Sequence, residues 1–540
     1  MTLDVAFVRW LLVAVSLLVF HPNSQAAELS DAALSARQAR IGRVVIQVDD
    51  VFEKKESLAW PYRLANWLHI DSRESTISSQ LLFQSGDLFD RRILDETERL
   101  LRDQRYLNEA TIRIIAYNEA DNTVDLAVSV HDVWTLSPGF SFGRKGGSNH
   151  TRLELEENNL LGFGKRVELW RSQDVDRTSL RLKYQDPNVF GSWWRLATVY
   201  ASSSDGWERT IDLARPFYSL DTRWGSGLTA SDVEASVSRY RLGEVVEQFS
   251  MRKRLLDLEG GLSNGLEHGW VRRYFAGVRY EDREFSKLGE QGATLPPNRN
   301  VTYPWLGIEL LQDSYIKTRN FDLIRRTEDI HLGWAARLDV GYAATALGST
   351  NSGPVVNGNV AMGRSITEQQ ILLSDFSLSG RFEDGEIRNA SVSASSRYYL
   401  RQNSYSSFFA SATGTLTSKS DAECQLLLGG DNGLRGYPLR YQAGERSALF
   451  TLEERFYSRW QPLKLVDVGA AVFFDAGRVW GSDPYGGEPI GWLKDVGFGL
   501  RLGNSRSALG NVLHIDLAFP LDGPADISRM QVVVETRRSF

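Results

Sequence analysis

Leu513-His514-Ile515-Asp516-Leu517-Ala518-Phe519-Pro520-Leu521 sets a large apolar side chain at every odd position and a polar or smaller residue between them. Successive side chains of an extended chain point to opposite faces, so a period of two describes a strand with one apolar face. Val496, Phe498, Leu500 and Leu502 alternate in the same way with Gly497, Gly499, Arg501 and Gly503. So do Leu180, Leu182 and Tyr184 with Arg181, Lys183 and Gln185. One such strand would also suit a soluble sandwich. Repetition from about Leu136 onward, without helical stretches to cover the sheet, predicts closure into a barrel between lipid and a wet lumen. The expected fold is therefore mainly β, a transmembrane antiparallel barrel over 136–540. At ~25 residues per strand and connection it would hold about sixteen strands.

Composition is compatible with this. Hydrophobic residues make up 42% and charged residues 24% of the 540, and mean hydropathy is -0.30. The 15 Trp, 19 Tyr and 25 Phe suit the aromatic girdles of a barrel. With 62 basic against 68 acidic residues the net charge is -6, which gives no reason to expect nucleic acid as a partner. The one cysteine, Cys424, excludes an intramolecular disulfide and metal sites built only from thiolates. Neither a metal nor a cofactor is expected.

Leu11 to Phe20 is apolar apart from Ser16, follows Arg9 and precedes Ser24-Gln25-Ala26. A charged start, a short apolar run and a small-x-small site describe a secretory signal peptide over 1–26. The run is too short, with these flanks, to span a bilayer. An exported chain without spanning helices is either soluble outside the cytoplasm or a barrel.

Between these regions, 40–133 reads as mixed α/β. Val44 to Val48 is a strand candidate and Thr76 to Phe83 a short helix broken at Gly86-Asp87. Arg91 to Leu107 carries Ile93, Leu94, Thr97, Leu100, Leu101 and Tyr106 near one helical face. Strands are predicted over Ala110–Tyr117 and Val124–Val130, which makes the order β-α-α-β-β. Asp49 to Asn66 is long and aromatic and receives no assignment.

That order, with Leu81-Leu82-Phe83-x-x-Gly86-Asp87 and with Leu100-Leu101-Arg102 before Tyr106-Leu107, resembles a POTRA domain. Further on, Gly429-Gly430-Asp431-Asn432-Gly433-Leu434-Arg435-Gly436-Tyr437 resembles the sixth-loop motif of the BamA/TamA superfamily of outer-membrane barrels (bacterial surface antigen type). Leu452-Glu453-Glu454-Arg455, Phe473-Phe474-Asp475-Ala476-Gly477 and Asn158-Asn159-Leu160-Leu161-Gly162-Phe163-Gly164 are similar to that family's following strands and first hairpins.

The resemblance implies that the loop folds back and brings Arg435 into the lumen. A guanidinium there needs carboxylates, and Asp475 and Glu453 are the candidates. Parity agrees for Asp475: with it inward, Val472, Phe474 and Ala476 face lipid. With Glu453 inward, Phe450, Leu452 and Phe456 face outward, and so does Glu454. Gly433 and Gly436 permit turns that a side chain would obstruct. The terminal Phe540, with Met530, Val532 and Val534 before it, resembles the signal by which such barrels are recognised for assembly, although Thr536 and Arg538 break the alternation.

No G-x-S-x-G elbow with suitable partners and no H-E-x-x-H occurs, so no enzymatic activity is expected. The family resemblance implies a factor that assembles or translocates proteins. Its POTRA-like domain, in the periplasm of a Gram-negative-type bacterium, would engage client polypeptides, and its barrel would insert or export them. The implied partners are the outer-membrane lipid bilayer, unfolded or secreted clients and periplasmic assembly factors. A passive channel and a lipid-handling or structural barrel remain open as alternatives.

Overall fold

The computed structural model describes residues 30–49, 51, 70–288, 294–319, 321–322, 327–462, 466–482, 490–503, 512–525 and 527–537. The expected signal peptide, most of Asp49–Asn66 and the terminal Phe540 lie outside them. Two compact units emerge. The smaller comprises residues up to 45 with 83–95 and 112–128, and the larger comprises 46–82, 96–111 and everything from 129 onward.

The larger unit is a closed antiparallel barrel whose strands follow one another in chain order from Leu136–Lys145 to Gln531–Arg537. It has twenty strands, not about sixteen. Part of the difference lies in the turns. Gly146-Gly147, Leu242-Gly243, His268-Gly269 and Asp384-Gly385 each place two consecutive residues at positive φ. Two such residues form the hairpin turn whose twist matches that of the strands, so these connections need only two residues each. A spacing of ~25 residues per strand is too long for them.

The faces of the barrel are inverted relative to a soluble protein. Phe140, Leu153, Leu258, Leu306, Val472 and Phe498 are each more than half exposed on the outside, while Asp475, Asp495, Arg501 and Asp516 are fully buried inside. Along Leu493–Gly503 exposure alternates without a break, with Val496, Phe498 and Leu500 outward. An apolar surface this extensive is stable against lipid and not against water. No helix among the described residues is long and apolar enough to cross a membrane. Trp224–Arg241, Glu244–Glu267 and Trp270–Lys287 run 18, 24 and 18 residues, well beyond the ~10 needed to cross hydrocarbon.

Two short hairpins stand apart from the barrel wall. Tyr315–Arg319 pairs with Thr327–His331 between barrel strands Arg299–Gln312 and Trp334–Ala343. Leu426–Leu428 pairs with Gln442–Gly444 inside the long connection between Ser406–Ser418 and Arg446–Tyr457. Counting from Leu136, that connection is the eighth loop at the end distal to the chain's entry into the barrel. Fifteen barrel strands precede it.

Before the barrel the order is α1 (Asp31–Ala36), β1 (Arg40–Asp49), α2 (Glu74–Ser78), α3 (Arg91–Arg102), β2 (Leu107–Asn118) and β3 (Thr123–Asp132). The sheet order is β1-β3-β2. A leading helix, capped by the Ser30 hydroxyl accepting from the Ala33 N–H at 3.3 Å, precedes the predicted β-α-α-β-β. In the smaller unit Leu34, Ile41, Phe83, Phe89, Leu94, Ile112, Val124 and Leu126 are buried. Helix α3 ends at Arg102, five residues earlier than predicted. Tyr106 is instead buried in the larger unit, its hydroxyl accepting from Gln80 Nε2 at 2.6 Å.

Candidate functional site: a loop anchored in the barrel lumen

The segment 419–445 leaves the wall after Ser418 and folds inward. Gly433 sits at φ +130°, and an added Cβ there would meet Leu449 Cδ2 at 2.3 Å. At Gly436 an added Cβ would come within 2.7 Å of the Asp495 Cβ and 3.1 Å of the Pro520 N. Glycine is favoured at the first by its positive φ and required at the second by space, beside the Asp495 Cβ and the Pro520 backbone.

Between them, Leu434 is fully buried with Leu428, Tyr437, Tyr441, Val479 and Leu493. The Tyr437 hydroxyl accepts from the Lys494 N–H at 3.0 Å and lies 2.7 Å from the Lys494 carbonyl and 3.0 Å from that of Asp522. Burial pushes this phenol up to about 12, so it remains a donor. Burying the Leu434 side chain stabilises the docked loop by about 1.5–3 kcal/mol.

Arg435 projects from the same turn into a cluster of charges. Its Nε donates to Asp475 Oδ2 at 2.7 Å and its Nη2 to Asp475 Oδ1 at 3.0 Å. Nη1 reaches Glu453 at 3.3 Å and Asp516 at 3.4 Å. The ring of Phe473 lies 3.3 Å from the guanidinium carbon, and Thr451 Oγ1 donates to Asp475 Oδ1 at 2.8 Å. The structure therefore brings Arg435, Asp475 and Glu453 together. Glu453 also meets Arg455 at 3.4 Å and Arg501 at 3.5 Å, and Arg501 pairs with Asp516. Burial opposes the Arg435 charge, but Asp475 first and then Glu453 and Asp516 more than offset it, so the guanidinium is held more firmly protonated than usual.

Strand parity explains the convergence. Thr451 lies opposite Asp475, and Glu453 opposite Phe473, so these four share the lumen face. Gly499 opposite Asp516 and Arg501 opposite His514 continue it. Phe450, Leu452 and Phe456 are exposed on the outer face. Sequence reading missed Asp516, Arg501 and Arg455 as members of the network. The signal was present, since Asp516 and Arg501 each sit between outward apolar neighbours.

Two further clasps hold the loop. Asp421 meets Arg299 at 3.0 Å and Arg381 at 2.8 Å, while Glu423 meets Arg283 at 2.5 Å and also Arg299. Past the tetrad, Arg440 forks onto Asp176 in another distal turn, at 2.6 and 2.8 Å, and its guanidinium carbon lies 4.5 Å from the centre of the Tyr240 ring. The Asn158–Gly164 motif forms the turn between strands Ser148–Glu157 and Arg166–Gln173. There Asn159 Nδ2 donates to Ser72 Oγ at 2.9 Å, and Thr76 Oγ1 donates to the Gly162 carbonyl at 2.8 Å.

No grouping of His, Cys, Asp and Glu with metal-ligand geometry occurs among the described residues. The arrangement is an electrostatic and apolar anchor. Strands and loop together make a closed membrane barrel with a loop secured in its lumen through Arg435. Leu434-Arg435-Gly436-Tyr437, whose sequence resembles the BamA/TamA loop motif, is the part of the loop that reaches these partners.

No protein-family model and no curated protein matches the sequence. Among solved structures the chain is similar to BamA from Haemophilus ducreyi lacking POTRA domains 1–3. Identity is 12% over 92% of this chain and 84% of that one, with a TM-score of 0.38. CdiB from Acinetobacter baumannii aligns at 12% identity over 93% and 73%, TM-score 0.45. The FrpB iron transporter from Neisseria meningitidis aligns at 10% over 93% and 84%, TM-score 0.38. At these identities and scores the likenesses add nothing to the fold that strand pairing already establishes.

Proposed function

We propose that the chain is an outer-membrane factor that inserts or exports polypeptides. In this reading 1–26 is a cleaved signal peptide and 40–133 is a periplasmic POTRA domain that binds extended client segments by strand addition. Edge pairing supplies main-chain hydrogen bonds with little sequence selectivity, which suits clients that differ. The chain acts without enzymatic chemistry of its own.

The observation that carries the reading is the seam of the barrel. Among the described residues the last strand meets the first through one pair, Val534 opposite Arg144. Its other edge pairs with its neighbour from Val512–Arg537 to Ala518–Gln531. The remaining support at the seam includes an ion pair between Lys145 and Glu535 at 2.5 Å. Pro138 in the first strand offers no N–H. A weakly paired seam suits a barrel that opens sideways to pass or release a strand, whereas a passive channel gains nothing from it.

The test is deletion of the gene followed by quantification of outer-membrane and secreted proteins. Loss of a few barrels, or of one secreted protein, is expected and identifies the clients. An unchanged proteome would contradict the proposal and favour a channel or a lipid-handling role.

A further inference from the structure

The hairpin of Tyr315–Arg319 and Thr327–His331 has no counterpart in the sequence reading, and strand register shows where it packs. Glu453 faces the lumen, where it meets Arg435. Phe409 lies opposite Glu453, Tyr399 opposite Phe409 and Ile371 opposite Tyr399. Cross-strand partners share a face, so these residues form an apolar patch on the inner wall.

Phe321 covers that patch. Its ring stacks on Tyr399 with centroids 3.8 Å apart and packs with Ile371, joined by Ile316, Ile330 and Leu332. The Tyr399 hydroxyl donates to Asp322 at 3.0 Å, and Arg455 Nη1 donates to the Phe321 carbonyl at 3.3 Å. Glu328 accepts from the Phe321 and Asp322 N–H groups, each at 2.9 Å, and holds the aromatic in place.

Other residues of the hairpin are gripped by 98–102 of α3. Arg102 forks onto Asp329 at 2.7 and 2.8 Å, Lys317 meets Glu98 at 2.6 Å, and the Arg99 guanidinium carbon lies 4.2 Å from the centre of the Tyr315 ring. Arg102 and Glu98 are both buried, so removing the partner of either leaves a charge that is costly to keep buried alone, although Lys317 itself is about half exposed.

We infer that this hairpin is a built-in plug. It is seated on the apolar patch of the inner wall, fastened by Glu98, Arg99 and Arg102, and its release opens the lumen. Arg455 touches both closures, for it pairs with Glu453 of the Arg435 cluster and with the Phe321 carbonyl. Unseating the hairpin therefore removes a partner from the network that anchors the loop. The inference holds whether the cargo is a polypeptide or a solute, so it stands or falls separately from the proposed function.

The test is single-channel conductance of the full-length protein in planar lipid bilayers, with barrel folding checked by heat-modifiable gel mobility. Phe321→Ala combined with Asp322→Asn is expected to raise mean conductance several-fold over the parent, and Arg102→Ala to make openings more frequent. Should the double variant fail to fold, Tyr399→Phe is measured in the same bilayer. It removes only the hydroxyl that holds Asp322, and more frequent openings are expected. Folded variants that conduct like the parent would overturn the inference.

Discussion

Asp475 receives the Arg435 guanidinium as a fork, with Nε on Oδ2 and Nη2 on Oδ1, at the floor of a loop that has travelled from the distal end of the barrel. Both side chains are buried, so neither can exchange its partner for water. Removing one member of such a pair is costly because the charge left behind is buried and uncompensated.

Asp475→Asn should therefore undock the loop more strongly than Glu453→Gln. The first change breaks a bidentate pair and leaves Arg435 only its longer contacts to Glu453 and Asp516, so a loss of about 3 kcal/mol, the low end for a broken buried pair, is expected. The second removes a single 3.3 Å contact from a carboxylate that is shared with Arg455 and Arg501. Limited proteolysis within 419–445 of the purified barrel checks the order, with faster cleavage in Asp475→Asn.

Arg435→Ala should leave the barrel assembled, since strand pairing does not involve the loop. Client handling should fall nonetheless. Normal heat-modifiable mobility with reduced client levels is the expected outcome, and full client transport by this variant would remove the role assigned to the anchor.

The distal clasp should be acid-sensitive. The hydrogen bonds from Arg440 hold the Asp176 carboxyl below its ordinary value. A depressed folded-state value means that the clasp contributes fully above about pH 4, and that the contribution is lost as pH falls through the lower folded value. A spin label in the loop should report unchanged mobility between pH 5 and 8 and loosening in stronger acid. Asp176→Asn should be loose throughout.

The barrel was legible because lipid imposes strict alternation, as along Val496–Leu502 and Leu513–Phe519. The Arg435 partners were legible because parity fixes which carboxylates point inward. Strand number was not, for two physical reasons. Two-residue turns such as Asp384-Gly385 shorten the repeat. Strands such as Trp224–Arg241 carry small and polar residues on both faces and extend far beyond the hydrocarbon, so their alternation fades. The hairpin at Tyr315–His331 alternates like its neighbours, and nothing local marks it as lying inside the wall. The network around Asp516 and Arg501 needs the register of four strands at once.

The seam between the last and first strands is where the proposed opening would occur. Val534 and Arg144 are cross-strand partners, close enough for a disulfide between cysteines placed there. In a Cys424→Ser background, Val534→Cys with Arg144→Cys locks the first strand to the last under oxidising conditions. Client levels should collapse when the lock forms and recover when a reductant opens it. Undiminished client handling with the disulfide quantitatively formed would contradict the claim that this barrel works by opening between those strands.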